Sequence, residues 1–449
     1  LAWRAKEETF LKNVKEISNA KVRFGWGQTG NAGGIAGRSV YALSSAHTKY
    51  NFYALGAGGG TTGQLTQETG FYAPLVDTNL KWETNEQLNI GLDLGFLDGD
   101  LNVSMDFFTR KTKDLLLERQ IRPSAGNTSI YTNFGQINNT GFEFSINYNK
   151  QINKDWSINA ALNGSTLKNK IKKMGVDYTA TCTGGNSTYS ADDIDGSNIG
   201  AVSGTGFQWN NHSICREGEA VGSYYGYKVA GIITNQEMLD KAKAQGQDAQ
   251  MGDFLFVDTD KSGTLDDGDR QIIGNGLPTM NFGLNLGATY KNWDFSIYSY
   301  GVLGMDILSY SKMRLSIMNP SDDSWTPALL KDSYKKMYNS ETNPGGTLPR
   351  LTRLDNNKNS RISDVWVENG NFLKISNIQI GYTVPRKWLE PLSLTSVRAY
   401  FSIQNLCTIS PYTKYGDPEV GQGSVIYTGL DTGRYANPRT YMFGLNVTF

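Results

Sequence analysis

The chain has 449 residues, and its 43 Lys and Arg balance its 43 Asp and Glu to a formal net charge of zero. A chain without net charge lacks the basic footprint of nucleic-acid-binding proteins, so we exclude nucleic acid as a partner. Only 39% of the residues are hydrophobic, and no run approaches the roughly 20 apolar residues that a membrane helix requires. The 50 Gly, 24 Tyr, 19 Phe and 9 Trp indicate an all-β protein. A membrane β-barrel is one such class, because only half of each strand must be apolar.

Alternation of apolar and polar residues is the dominant pattern in the chain. From Leu88 to Phe96 every second residue is apolar, and the residues between them are Asn, Gly, Asp and Gly. Such alternation is typical of a β-strand with one apolar face. It predicts ten full strands after a stub at Leu1–Ala5. The predicted strands lie at 22–29, 88–96, 101–107, 142–149, 156–163, 280–287, 293–303, 372–384, 397–406 and 440–449.

Strand length and loop length favour a membrane barrel over a soluble sandwich, which also alternates. Most segments run about 9 to 13 residues, which suits a tilted membrane crossing and exceeds the ~5–6 residues usual in soluble sheets. Tight turns alternate with long polar stretches, as they do where short turns are periplasmic and long loops extracellular. We therefore predict an all-β fold, an antiparallel transmembrane β-barrel. The tight turns are 98–100, 153–155 and 291–292, and the long stretches are 30–86, 113–139, 169–278, 305–370 and 408–438.

Aromatic residues mark the predicted membrane boundary. Trp156, Trp293 and Trp388 lie beside the short turns, where an interfacial girdle is expected. Counting strands back from the end places the C-terminus on the short-turn, periplasmic side. The last strand is similar to the C-terminal signal that bacterial outer-membrane barrels present to their assembly machinery, and a simple lipid-facing edge strand is the alternative. The alternating positions are Tyr441, Phe443, Leu445, Val447 and Phe449.

The segment DTDKSGTLDDGD at 258–269 matches a calcium-binding loop. Alternate residues of such a loop turn their oxygens toward the ion, and Gly263 at the sixth position permits the sharp bend. Asp in place of Glu at the twelfth position predicts weaker binding, and no convincing helix follows, so the loop is more like those of dockerins. An acidic surface turn is the alternative. The predicted ligands of a structural calcium ion are Asp258, Asp260, Ser262, Thr264, Asp266 and Asp269.

The stretch 169–278 is predicted as one long extracellular loop region that carries the calcium loop and a short surface helix at 236–245. Exposed aromatic residues among polar ones suit stacking on sugar rings, but we favour packing or an interface as their role. Cys182 and Cys215 lie in this stretch, and either a disulfide or two unpaired thiols fits the sequence. The Trp residues considered as ligand or lipoprotein contacts are Trp209, Trp325 and Trp366.

No recognisable catalytic motif is present in the sequence. The only two His, His47 and His212, disfavour a His-based triad and a multi-His metal site. The many acidic residues leave open a glycosidase-type carboxylate pair, but none stands in a motif. The Gly-rich run at 56–60 lacks the Lys-Ser/Thr ending of a phosphate-binding loop. We therefore predict that the protein is not an enzyme.

Several segments together resemble one family, the SusC/RagA-type TonB-linked outer-membrane transporters of Bacteroidetes. The segments occur in the same order as in the family, along essentially the whole chain. Cys407 departs from the family pattern, because an aromatic or aliphatic residue is expected at that position. The segments are VRFGWGQTGN at 22–31, LKWETNEQLNIGLD at 80–93, FFTRKTKDLLL at 107–117, NNTGFEF at 138–144, the stretch 258–274, and NLCTISPYTKYGDPEV at 405–420.

The resemblance implies a barrel of about 22 strands with an N-terminal plug inside it, and this chain would supply the C-terminal half of the strands. The implied partners are TonB, acting through a segment ahead of the plug, and a SusD-like surface lipoprotein, often in a dimer of such pairs. The implied function is active import of oligosaccharides or peptides. Because no signal peptide stands at Leu1, we expect the numbering to begin inside a larger protein.

The strand faces that would line the lumen are rich in Asn, Ser, Gly and Asp and carry few fixed charges, which suits neutral or zwitterionic cargo. Three other functions remain open. A passive porin would have the same barrel without a plug, an outer-membrane enzyme would carry a carboxylate pair, and an adhesin would use the barrel as an anchor. A plug encoded upstream would separate an importer from a porin. Loss of a soluble product on mutation of Asp or Glu would support the enzyme, and uptake assays with a deletion strain would test the adhesin.

Overall fold

The structure, a computed structural model, describes residues 1–32, 46–51, 67–72, 77, 79–120, 129–174, 178–180, 212–317, 333–352, 355–420, 427–433 and 435–449. The α-helices are α1 (Gln236–Ala244), α2 (Tyr310–Ser316) and α3 (Arg386–Leu389). The strands are β1 (Ala2–Trp3), β2 (Ile17–Asn31), β3 (Ala46–Asn51), β4 (Gln67–Tyr72), β5 (Glu83–Phe96), β6 (Leu101–Gln120), β7 (Ser129–Gln151), β8 (Trp156–Lys173), β9 (Tyr178–Ala180), β10 (Ser213–Cys215), β11 (Ser223–Gly226), β12 (Val229–Ile232), β13 (Phe254–Phe256), β14 (Gln271–Asn275), β15 (Met280–Tyr290), β16 (Trp293–Leu303), β17 (Asp306–Ser309), β18 (Val367–Asn369), β19 (Phe372–Thr383), β20 (Ser396–Ile409), β21 (Leu430–Asp431) and β22 (Thr440–Thr448).

Eleven strands form one antiparallel sheet, in the order β1-β2-β5-β6-β7-β8-β15-β16-β19-β20-β22. Every strand of this sheet pairs with the members that precede and follow it in the chain, which is the up-and-down order of membrane barrels. The order confirms the predicted stub, the ten full strands and the all-β fold class. Short strands outside the sheet pair as β14-β11-β10-β9, β12-β13, β18-β17-β21 and β3-β4.

The three predicted tight turns join strands at one end of the sheet. Asp98 and Gly99 have φ angles of 57° and 94°, and glycine adopts the second without a steric penalty. The Asn153 side chain accepts hydrogen bonds from the N–H groups of Asp155 and Trp156, both at 2.9 Å, and so closes the second turn. Positive φ at Lys291 closes the third. These local contacts fix the register of the strands on either side.

At the opposite end, several strands run farther than their alternation predicts. Strand β8 continues to Lys173, so the predicted start of the long loop region at 169 was wrong. The β6–β7 hairpin stays paired from Leu101 opposite Tyr148 to Gln120 opposite Ser129. Much of the predicted loop 113–139 is therefore strand, and its assignment as a loop was wrong. The backbone ladder continues because it needs only hydrogen-bonded N–H and C=O groups, whereas the alternation signal needs one apolar face.

One face of the sheet is apolar and exposed along its whole width. Such a continuous apolar surface marks a membrane or protein contact, and in a membrane barrel it faces lipid. No helix among the described residues is long and apolar enough to cross a membrane. Residues of this face with more than a third of their surface exposed include Phe24, Trp26, Ile90, Phe107, Phe142, Leu286, Phe295, Ile380, Phe401 and Phe443.

Four aromatic residues lie side by side next to the tight turns. Trp156 pairs with Tyr290, Tyr290 with Trp293, and Trp293 with Tyr382 in the strand register. Ring centroids are 4.5 Å apart for Trp156 and Tyr290, and 4.8 Å apart for Trp293 and Tyr382. Trp388 on α3 is 67% exposed. This row has the composition of the aromatic belt that anchors barrels at the interface.

Eight short strands and two helices of the described part of the chain pack into a second region, which we call the loop unit (residues 212–275, 305–317, 355–371 and 427–433). The strands are β10, β11, β12, β13, β14, β17, β18 and β21, and the helices are α1 and α2. Helix α1 begins where the Asn235 side chain accepts a hydrogen bond from the Met238 N–H at 2.9 Å. Leu239 and Ala242 are buried, and Met238 packs against them. The larger core of the unit contains Tyr224, Phe254, Phe256, Leu308, Tyr310, Met313, Ile317, Ile362, Trp366 and Leu430.

Candidate functional site

The second face of the sheet is polar, and we call it the polar wall. Its residues include Arg23, Asp93, Asp106, Glu143, Asn163 and Asn281. Arg23 on β2 reaches across β5 and donates hydrogen bonds of 2.8–2.9 Å to both Asp93 and Asp106. Gly91 makes this reach possible, because a Cβ there would lie 2.4 Å from an Asp106 oxygen and 2.7 Å from the Arg23 guanidinium carbon. The three strands are thus joined by one shared cation.

The same device recurs near the other edge of the sheet. Arg398 on β20 donates to Asp294 on β16 across Gly381 of β19, with an Nε to Oδ1 distance of 2.9 Å. A Cβ at Gly381 would lie 2.5 Å from both partners. The sequence analysis missed these ion pairs, because their residues are far apart in the chain. The signal that could have revealed these ion pairs is a glycine that lies between oppositely charged residues on the two neighbouring strands.

A cavity of about 800 Å³ lies against the middle of the polar wall. Its surface combines hydroxyl, amide and carboxylate groups with two tyrosine rings, whose centroids are 6.2 Å apart. Such a mixture of aromatic and convergent polar groups is typical of ligand-binding surfaces. Residues of the wall that line it include Asp106, Glu143, Asn163, Asn281, Tyr298 and Tyr300.

A buried lysine ties the segment 410–420 to the polar wall. The Lys374 side chain is 3% exposed and forms ion pairs with Glu419 and, at 3.9 Å, with Asp417. Tyr300 also donates to Glu419, and the Asn437 side chain donates to the second Glu419 oxygen at 3.1 Å. The segment therefore forms one side of the cavity, and Glu419 itself lines it.

The structure corrects the assignment of Trp366 as a contact residue. Trp366 is 0% exposed, its ring lies 5.9 Å from that of Phe254, and its Nε1 donates to the Arg361 carbonyl at 3.0 Å. The side chain belongs to the core of the loop unit, which is the packing role that the sequence favoured. Trp209 and Trp325 lie outside the described residues.

Charged side chains inside the loop unit are paired or stacked. The Arg361 guanidinium lies 4.5 Å from the ring centre of Phe256 and 5.0 Å from that of Tyr227, and burial lowers its pKa. Lys312 forms a 2.6 Å ion pair with Glu368, and burial lowers the pKa of this lysine. These contacts hold separate segments of the loop unit together.

The predicted calcium loop brings three of its carboxylates together. Asp258, Asp260 and Asp269 each offer an oxygen, and the three atoms lie within 4.8 Å of one another. Asp258 also accepts hydrogen bonds from the N–H groups of Ser262 and Gly263, at 3.1 and 2.9 Å. The N–H of Ser262 donates to Asp260 as well, which lowers the pKa of that carboxyl and keeps it charged.

The other predicted ligands are placed less directly. Ser262 donates its hydroxyl to the Thr264 carbonyl at 3.0 Å. Asp266 caps the short 3-10 helix that follows and accepts from the Gly268 N–H at 2.7 Å. It therefore lies outside the group of three. Asp269 is fully buried and already accepts hydrogen bonds from backbone N–H groups of the loop.

The last strand exposes the predicted alternating residues. Tyr441 is 61% exposed, Phe443 78%, Leu445 59% and Phe449 89%. They share the apolar face of the sheet, so a lipid-facing position fits them, and their role as an assembly signal stays a prediction. Cys215 is buried, while Cys182 lies outside the described residues, so their pairing stays open.

Comparison with known proteins gives the family. Residues 13–406 match the model of the TonB dependent receptor-like β-barrel. The chain is 32% identical over its full length to TonB-dependent receptor P3 of Formosa agariphila and covers 41% of that protein. It is 29% identical to TonB-dependent receptor SusC of Bacteroides thetaiotaomicron and covers 39% of it. The chain thus spans about two-fifths of the length of these curated relatives.

A solved structure, the RagAB peptide importer in its open-open state, has the same fold. The TM-score is 0.70 at 19% identity, and the match covers 100% of this chain and 42% of that one. The up-and-down sheet, its exposed apolar face and its polar wall agree with this result. The chain is part of an outer-membrane β-barrel of the TonB-dependent receptor family, of the SusC/RagA type.

Proposed function

We propose that the protein takes part in TonB-dependent active import of oligosaccharides or peptides, together with a SusD-like lipoprotein. The observation that carries this proposal is the match of the entire chain to a receptor named SusC and to the fold of a peptide importer. The relatives are receptors and transporters, which agrees with a protein that is not an enzyme.

The mechanism that fits this geometry is physical gating. The tight turns and the C-terminus face the periplasm, and the loop unit lies outside the cell, where it and the lipoprotein enclose cargo. TonB acts through a part of the transporter other than this chain. Cargo then passes along the polar wall, where hydroxyl, amide and carboxylate groups exchange hydrogen bonds with it. The functional assembly is a dimer of transporter–lipoprotein pairs.

Purification of the native protein from outer membranes in mild detergent tests the proposal. Mass spectrometry of every component is expected to show a polypeptide about twice this length or longer, as the relatives' lengths imply, an equal amount of a lipoprotein, and a bound oligosaccharide or peptide. A lone barrel without plug peptides or lipoprotein would favour a passive porin or an adhesin. Uptake by a deletion strain separates those two, because an adhesin transports nothing.

We also propose that the loop 258–269 binds calcium as a structural ion. Its support is the convergence of Asp258, Asp260 and Asp269, because calcium prefers several carboxylate and carbonyl oxygens. Ca²⁺ binding would hold the loop in the shape that joins β13 to β14. In the complete transporter, added Ca²⁺ is expected to raise the unfolding temperature of the loop unit by mass action, and Asp258→Asn to abolish that increase. Glu237→Asn on α1 is the control. If Ca²⁺ raises the unfolding temperature of both variants equally, the loop is an acidic surface turn and not a calcium site.

A further inference from the structure

Glu143 is the carboxylate of the wall cavity for which the described residues supply no counter-ion. It lies directly opposite Asp106 in the register of β7 and β6, and like charges so placed repel each other. Arg23 binds both Asp106 and Asp93. Lys21 lies opposite Asp93 in the strand register, so these four charges balance and the negative charge of Glu143 is in excess. Glu143 is exposed beside them on the cavity surface.

The far side of the cavity adds to this excess. Lys374 is shared by Asp417 and Glu419, so that group also carries one more negative charge than positive. Tyr298 is 47% exposed on the cavity, and Tyr300 lies next to it. Carboxylates and the faces of tyrosine rings both attract cations. The sequence predicted a lining with few fixed charges, and the structure instead concentrates negative charge at this point.

We propose that the wall cavity binds a cationic group of the cargo, an ammonium or guanidinium, through Glu143. The inference rests on the proposed import function and narrows its cargo to molecules such as peptides with Lys, Arg or a free amino end. Arg23 and Lys374 are already engaged, so the cation must come from another molecule or segment. A divalent metal ion fits less well, because it needs several free oxygens and Arg23 occupies those of Asp106.

The test uses the complete transporter with its lipoprotein, purified in detergent, and matched pairs of short peptides. The two members of a pair differ only in arginine or its neutral analogue citrulline. Mass spectrometry of the retained peptides is expected to show the arginine member enriched about threefold, the factor that an exposed ion pair supplies. Glu143→Gln should lower the ratio to one and Glu143→Asp should preserve part of it. Glu237→Gln on α1 makes the same chemical change elsewhere and should leave the ratio unchanged.

A ratio that does not change in Glu143→Gln would overturn the inference. If the unfolding temperature of the peptide-free complex is also lowered in that variant, the cation bound by Glu143 belongs to another segment of the transporter itself. If the purified complex retains oligosaccharides but neither peptide, the inference falls and the import function stands. If it retains neither class, the import proposal falls as well.

Discussion

The sheet and the loop unit are built from the same kinds of residue but by opposite rules. In the sheet, large apolar side chains such as Phe107 and Phe443 are exposed, and the strands are held by backbone ladders between neighbours in the chain. In the loop unit, Trp366 and Tyr224 are fully buried, and the core joins segments separated by up to about two hundred residues. The solvent explains the difference: lipid accepts apolar side chains, whereas water forces them into a core.

Removing the centre of the loop core should give the largest effect and should separate the two regions. We expect Trp366→Ala to destabilise the loop unit by about 3–5 kcal/mol, because it leaves a large cavity among aromatic side chains. Limited proteolysis should then cut within the segments of the loop unit (212–275, 305–317, 355–371 and 427–433), while the heat-dependent gel mobility of the barrel stays unchanged. Trp388→Ala is the matched control, since Trp388 is 67% exposed on α3. Loss of the barrel mobility shift in Trp366→Ala would contradict the separation.

The next prediction concerns the contact between the wall and the segment 410–420. Lys374→Met leaves Glu419 and Asp417 close together without a cation, and breaking a buried ion pair costs about 3–5 kcal/mol. Because only one segment is released, we expect a local effect, seen as faster hydrogen exchange over residues 411–420. Lys150→Met is the control, because its ion pair with Asp100 is exposed and such pairs contribute about 0–1 kcal/mol. Equal exchange in the two variants would refute the anchoring role of Lys374.

A pair of glycine substitutions sharpens the comparison within the sheet itself. Gly91→Ala places a Cβ 2.4 Å from Asp106 and should break the Arg23 bridge, with a cost of about 1–3 kcal/mol for forced crowding. Gly25→Ala on β2 is the control, because nothing lies within 4 Å of its Cβ. Urea unfolding in detergent or lipid measures the stability of both variants. If the two variants unfold alike, the bridge across Gly91 does not contribute to the sheet.

The smallest expected effect is a pH dependence of the calcium loop. Hydrogen bonding from the Ser262 N–H lowers the pKa of Asp260 below its ordinary value of 3.8. A carboxyl whose pKa is lower in the folded state contributes stability above its unfolded pKa, and that contribution is lost as the pH falls through the folded pKa. In calcium-free buffer, the unfolding midpoint of Asp260→Asn should therefore lie slightly below that of the native chain above pH 3.8. The two should converge at lower pH, and a difference that grows on acidification would contradict this.

Much of the sheet could be predicted because its information is local. The alternation at Leu88–Phe96 and the turn at 98–100 fix one hairpin without reference to any distant residue. The far ends of β6 and β7 could not be predicted, since the consecutive residues Leu115–Leu117 and the register shifts beside them interrupt the alternation while the ladder continues. In the site, the acidic loop was found from its spacing. Arg23 and Lys374 were missed because their partners come from other segments, and Glu143 was missed because only the strand register places it opposite Asp106.

By itself the sequence determined the all-β class, the strand order, the apolar outer face and the spacing of the acidic loop at 258–269, since each depends on residues close together in the chain. Only the tertiary structure decided that Trp366 belongs to a core, that Gly91 lets one arginine bridge three strands, and that Glu143 meets Asp106. The physical reason is that burial and charge pairing depend on which distant segments meet, and alternation along one strand carries no record of its neighbour.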